Sequence, residues 1–139
     1  MSYAASAALQ TAIFQYLRDD DALTELVGDA VFDAMPASAP AGLYVALGPE
    51  DVREVGDISG AGTRHDLIVS VMSGADAGAG FGLVKQAAAA VSDRLDGAQL
   101  PLSRGRLVGI WFQRATARRI DNGTGRRVDL TFRARVDLA

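Results

Sequence analysis

Three observations in the 139-residue sequence predict an α+β domain: a mostly antiparallel β-sheet with two α-helices packed on one face and a long C-terminal β-hairpin. Near the N-terminus, Ala5, Leu9, Ile13, Tyr16 and Leu17 recur at intervals of three and four, which draws an apolar stripe down one side of a helix. Phe81, Val84, Ala88, Val91 and Leu95 repeat that spacing later, until Gly97 offers a stop. At the C-terminus, Val128, Leu130, Phe132, Ala134, Val136 and Leu138 alternate without a break with Arg127, Asp129, Thr131, Arg133, Arg135 and Asp137, the period of a strand with one buried face.

The elements follow in order. Helix one is expected over residues 2–18, and Asp19, Asp20 and Asp21 then interrupt it and cap a short turn, Ala22 to Val27, which Gly28 ends. A short strand is expected over residues 30–35, followed by an irregular connection rich in turn formers from Pro36 to Gly42. Leu43, Val45 and Leu47 alternate with Tyr44 and Ala46 as a half-buried strand that Gly48-Pro49 should stop, because proline cannot donate to a sheet ladder. From Glu50 to Thr63 the pattern dissolves into a charged, glycine-containing stretch, either a mobile loop or a protruding β-arm. Residues 64–72 form a central strand, with Leu67, Val69 and Val71 on one face and Ile68 and Met72 on the other. Gly74 to Gly82 leads into helix two, whose Ala87 to Ala90 run suits close packing on a sheet. Leu107 to Ile120 forms the first strand of the hairpin, and Asp121 to Gly125 supplies its positive-φ connection.

Composition narrows the function. A hydrophobic share of 49% closes one core, so residues 1–139 are read as a single domain. With no cysteine, disulfides, thiolate metal sites and thiol nucleophiles are excluded. No apolar run approaches a membrane span and Met1-Ser2-Tyr3 lacks a basic secretion start, so no membrane partner is expected and the protein is read as soluble and unexported. Net charge is only −3, yet residues 1–103 carry five basic and fourteen acidic side chains, while residues 104–139 carry nine arginines and three aspartates. Such polarity favours one orientation of association over others.

Motifs that carry chemistry are missing. Ser59-Gly-Ala-Gly62 and Gly74 to Gly82 lack the Gly-Lys-Ser/Thr ending of a phosphate loop, and Gly78, Gly80 and Gly82 lack the full dinucleotide fingerprint. Consecutive aspartates at positions 19–21 lack the spaced oxygens of a calcium loop. His65, the single histidine, is expected at the surface, and as Asp66 points to the opposite strand face the two cannot form a base-and-orienter pair. No Gly-x-Ser-x-Gly elbow is present. The expectation is therefore a protein that is not an enzyme, with no catalytic residues, no metal and no cofactor.

The succession of packing residues resembles a known family, the tail-completion or tail-terminator proteins of long-tailed phages and phage-like gene transfer agents. The residues carrying the resemblance are Ala8-Leu9-Gln10, Leu23-Thr-Glu-Leu-Val-Gly28 followed by Val31-Phe32, Met35-Pro36, Leu43-Tyr44-Val45, Ser73 after the central strand, Leu95-Asp-Gly97 and the closing hairpin. It spans nearly the whole chain. Where many relatives have Trp-Ser after the central strand, this chain has Met72-Ser73. What the resemblance implies is a homo-oligomeric ring, typically a hexamer, at the head-proximal end of the tail tube, ending tube polymerisation and joining tail to neck. Its partners would be further copies of itself, the tail tube protein and a neck or head-completion adaptor, with DNA passing non-specifically through the lumen. Its place would be the bacterial cytoplasm during assembly and then the tail of the particle.

Two sets of residues are candidates for subunit contact. The first is the Glu50 to Thr63 arm, where Val52, Arg53, Glu54, Val55, Asp57 and Ile58 mix apolar and charged side chains that a pure linker would not need. The second is Trp111 with Arg133 and Arg135. Alternation turns Val108, Ile110 and Phe112 towards the helices and Leu107 and Trp111 away, leaving the indole without cover on a face with no helices. Competing readings are a head-completion or neck adaptor of the same particle, a small α+β enzyme or ligand-binding domain, which would need a polar cluster within the apolar face, and a DNA-binding protein using the arginine-rich hairpin.

Overall fold

The structure, a computed structural model, describes residues 3–56, 60–74, 81–120 and 125–138. Three helices, α1 (Ser6–Arg18), α2 (Asp21–Val27) and α3 (Gly82–Leu95), cover one face of a five-stranded sheet. The strands are β1 (Val31–Phe32), β2 (Leu43–Glu54), β3 (Gly62–Ser73), β4 (Arg106–Ile120) and β5 (Gly125–Asp137), in the spatial order β1-β2-β3-β5-β4. Only the two-residue β1 runs parallel to its neighbour. The remaining pairs are antiparallel.

One buried stripe per element explains the layering. Leu9, Ile13 and Leu17 of α1 and Val84, Ala87, Val91 and Leu95 of α3 meet Val45, Leu67, Val69, Val71, Val128, Leu130, Phe132 and Val136 from the sheet. The short turn after helix one forms a true helix because Asp20 caps it, its Oδ2 accepting from the Leu23 amide at 3.0 Å, and Gly28 ends it at φ 63°. Arg94 then clasps the helical layer: its guanidinium lies 3.6 Å from the centre of the Tyr16 ring and its Nε donates to the Tyr16 carbonyl at 3.0 Å. That contact joins α3 to the end of α1 and is not visible in any local pattern.

Three expectations need correction. Gly48-Pro49 does not stop β2; a register shift between Leu47 and Glu50 absorbs both residues, and β1 ends before them, so the proline's missing donor interrupts no ladder on that side. Of the two alternatives for Glu50 to Thr63, the β-arm is consequently the one present, with Glu50 to Glu54 paired to Leu67 to Thr63. His65 is fully buried rather than at the surface, because it shares the helix-facing side of β3 with Leu67, and both ring nitrogens have partners there. Finally, strand β4 shifts register between Leu107 and Gly109, so Leu107 packs against the core while Val108 turns out, the reverse of simple alternation. Asp57, Ile58, most of the Gly74 to Gly82 stretch and residues 121–124 of the hairpin connection lie outside the described residues.

Phe132 is the largest fully buried side chain, and the Phe112 ring meets it edge to face at 5.9 Å between centroids. Replacing Phe132 with alanine is expected to lower unfolding free energy by about 3 to 5 kcal/mol, read by urea denaturation. Replacing Asp20 with alanine should cost only about 1 kcal/mol, the usual value of an N-cap.

Candidate assembly surface

The helix-free side of the sheet changes character along its length. At the β1 end, Tyr44, Ala46 and Met72 form a small apolar cluster with Ala30 and Phe32, and the Phe32 and Tyr44 rings meet edge to face at 6.3 Å. Beyond it, apart from Ile68 opposite Thr131, the positions between the core residues of β3 and β5 turn charged or polar: Arg64, Asp66, Ser70, Arg127, Asp129, Arg133 and Arg135.

Two aspartates organise these arginines. Asp66 receives Arg133 Nε at 2.8 Å and stands 3.4 Å from Arg64 Nη2. Asp129 receives Ser70 Oγ at 2.6 Å and Arg127 Nε at 2.8 Å, with Arg118 at 3.7 Å. Burial pushes the Asp129 carboxyl up, but the hydrogen bonds from Ser70 and Arg127 and the positive charges of Arg127 and Arg118 outweigh it and hold the group below the usual carboxylate range. A depressed folded-state value means stability that is present above the unfolded value and lost as pH falls through the folded one.

Trp111 sits where alternation puts it, opposite Arg133 on the helix-free face. It is 44% exposed, beside the similarly exposed Val108, in a shallow groove that Arg64, Arg133, Arg135 and Asp137 complete. The structure thus brings together Trp111, Arg133 and Arg135. Arg133 is committed to Asp66 and Arg135 Nη2 donates to the Val55 carbonyl at 3.2 Å, so the arm residue Val55 reaches this corner, while Val52, Arg53 and Glu54 lie on β2 with β3 and β5 between them and β4. Part of the indole lies across Gly109, where an added Cβ would stand 2.2 Å from its Cζ2, so the ring sits over a residue with no side chain.

One cluster could be mistaken for catalytic machinery. Thr63 Oγ1 lies 2.9 Å from His65 Nε2, and His65 Nδ1 lies 3.0 Å from Glu50 Oε2, an order of hydroxyl, imidazole and carboxylate. Ser6 Oγ donates to the other Glu50 oxygen at 2.7 Å. Thr63 and His65 are buried under the helices, so the hydroxyl has no route to a substrate, and the chain of bonds instead ties the start of α1 to β2 and β3. Sequence reasoning missed it because β2 was expected to end before Glu50; a strand continued through the bulge would have placed Glu50 beside His65.

Fold and surface together define a small α+β domain whose polar residues are spent on a sheet face and on fastening its own layers. The chain belongs to the tail completion protein gp17 family, whose model matches residues 11–137, and its role is that of a structural tail protein. Among solved structures it is similar to a chain of the virion of a native gene transfer agent particle, at 57% identity and a TM-score of 0.89, covering 98% of this chain and 99% of that one. No curated protein matches it. No helix among the described residues is long and apolar enough to cross a membrane.

Two outcomes follow from this surface. Asp129→Asn should flatten the acid side of the stability profile, so that the melting temperature falls less between about pH 5 and pH 3 than it does for the parent. Gly109→Ala should displace the lone indole, seen as a shift of the intrinsic tryptophan emission with helical circular dichroism unchanged.

Proposed function

We propose that this chain is the tail-completion subunit that assembles as a ring, most simply a hexamer, at the head-proximal end of a tail tube. There it ends tube polymerisation and joins the tail to the neck, with DNA passing through the lumen. The observation that carries this reading is the family match together with 57% identity, over nearly the full length, to a chain of a gene transfer agent virion. Its partners are then further copies of itself, the tail tube protein and a neck adaptor.

The surface supports such a role. Trp111 is a large aromatic left 44% exposed beside Val108, and aromatics and arginines of this kind are frequent anchors of protein interfaces. On this reading Trp111, Arg133 and Arg135 form one part of the contact between neighbours, and Val52, Arg53, Glu54 and Val55, with Asp57 and Ile58 beyond them, form another. The arginines of the helix-free face are partly neutralised by Asp66 and Asp129, which leaves few to hold phosphates. DNA can then slide along such a surface rather than being gripped.

Imaging of the purified protein, alone and mixed with tail-tube subunits, tests the assignment: rings capping tube ends are expected, and tubes of uncontrolled length without caps would overturn it. Trp111→Ala should abolish rings while the monomer melts within a few degrees of the parent, because a half-exposed side chain contributes little to the monomer's core. A variant that is strongly destabilised yet still forms rings would remove Trp111 from the interface. In a salt titration, duplex DNA should bind weakly and without sequence preference; submicromolar, sequence-dependent affinity would favour the DNA-binding alternative instead.

A further inference from the structure

The two outermost long strands of the sheet, β2 and β4, are each covered along part of their outer edge and open along the rest. Strand β1 covers β2 only at Val45 and Ala46, so the outer edge of β2 from Glu50 to Glu54 has no strand beside it among the described residues. On β4, the end of α3 closes the near half: the Gly97 amide donates to the Ile110 carbonyl at 2.7 Å, and Asp96 Oδ1 accepts from the Phe112 amide at 2.9 Å. From Arg114 to Arg119 every residue is exposed, and no backbone partner other than β5 is present among the described residues. Unpaired strand edges are templates for another strand. The open stretches carry opposite charge, with Glu50, Asp51 and Glu54 against Arg53 on β2, and Arg114, Arg118 and Arg119 on β4.

Resting on the ring reading, we propose that neighbouring copies join by continuing the sheet, the open half of β4 in one copy pairing with the open half of β2 in the next. Strand direction permits it: β2 and β5 run one way and β3 and β4 the other, so repeating the sheet head to tail sets β4 antiparallel to the next β2. Side-chain alternation restricts the register. Val52 and Ala117 both face the helix side, through their pairings with His65 and Val128, so registers that keep one apolar side differ by two residues. With Val52 opposite Ala117, Asp51 meets Arg118 and Glu50 meets Arg119. A shift of two residues one way puts Arg53 against Arg114, and the other way puts it against Arg118. Like charges directly opposite are unfavourable, so the first register is selected.

The same geometry tilts the strands in the ring. Within one copy Val52 lies level with Ile110, through His65 and Ala134, and not with Ala117. On β5, Ala134 and Val128 stand opposite Ile110 and Ala117, so bringing Val52 of the next copy opposite Ala117 staggers successive copies by about six ladder positions, roughly 20 Å along the strands. Across the four long strands, on the order of 19 Å wide, that stagger corresponds to a tilt near 45°, at the upper end of the range for closed barrels. The association is head to tail, as a ring requires.

The absence of cysteine makes the junction directly testable. In the double variant Val52→Cys with Ala117→Cys, the two positions of one chain are separated by two intervening strands and cannot bridge each other. Oxidation of assembled protein should therefore produce a ladder of covalently linked copies on a non-reducing gel. Independently, Asp51→Arg and Arg118→Asp should each abolish rings by placing like charges across the junction, and their combination should restore them. Thermal melts of the single variants establish that each is folded. Rings that persist in both charge variants and give no ladder on oxidation would overturn the edge junction while leaving the ring itself intact. Failure of the parent protein to form rings with or without tail-tube subunits would overturn the ring reading and this junction with it.

Discussion

Everything in the fold hangs on the uninterrupted antiparallel pairing of β3 with β5, from Gly62 opposite Asp137 to Ser73 opposite Arg126. Strand side chains alternate, so this register puts Leu67, Val69 and Val71 beside Phe132, Leu130 and Val128 on one face and gathers the arginines and aspartates on the other. A slip of one residue would drive Arg133 and Arg127 under the helices, at the cost of burying unpaired charge. The helices add the second layer to a sheet whose sidedness is already set. They cover the apolar side because burying their stripes there is the largest available gain in hydrophobic stabilisation.

Strand β4 obeys a looser rule. It has only one neighbour, so an extra residue between Leu107 and Gly109 and another between Phe112 and Arg114 disturb nothing on its far side. Those irregularities re-aim side chains: Val108 joins Trp111 outside, and beyond the second one Ala115 and Ala117 take the helix-facing positions opposite Leu130 and Val128. The sheet thus ends in an edge that is regular enough to be a strand and irregular enough to carry its largest aromatic outward. Asp96 and Gly97, placed there by the end of α3, close the first part of that edge and leave the rest open.

Buried polar groups perform fastening rather than chemistry. The chain from Thr63 through His65 and Glu50 to Ser6 spans two strands and a helix, and each bond satisfies a group that would otherwise be costly to bury. Arg94 does the same between helices by stacking on Tyr16 and bonding its carbonyl. Together they anchor both ends of α1, so the helical layer is held by directional contacts as well as by its apolar stripe.

The sequence by itself determined the elements whose pattern is carried by many residues at one period. Both long helices, the central strand, the C-terminal hairpin and the sidedness of β5 were legible, as was Trp111 on the helix-free face, because each rests on local alternation or a 3.6-residue repeat. The family was legible for the same reason, as an order of packing residues along the chain. Only the tertiary structure decided the continuation of β2 past Pro49, the burial of His65 and the exchange of Leu107 for Val108. Each depends on what lies beside the strand: an edge tolerates a proline, a central strand under helices buries a histidine if partners arrive from elsewhere, and a one-sided strand accepts an extra residue. Neighbours in space, unlike periods, leave no local signature in the chain.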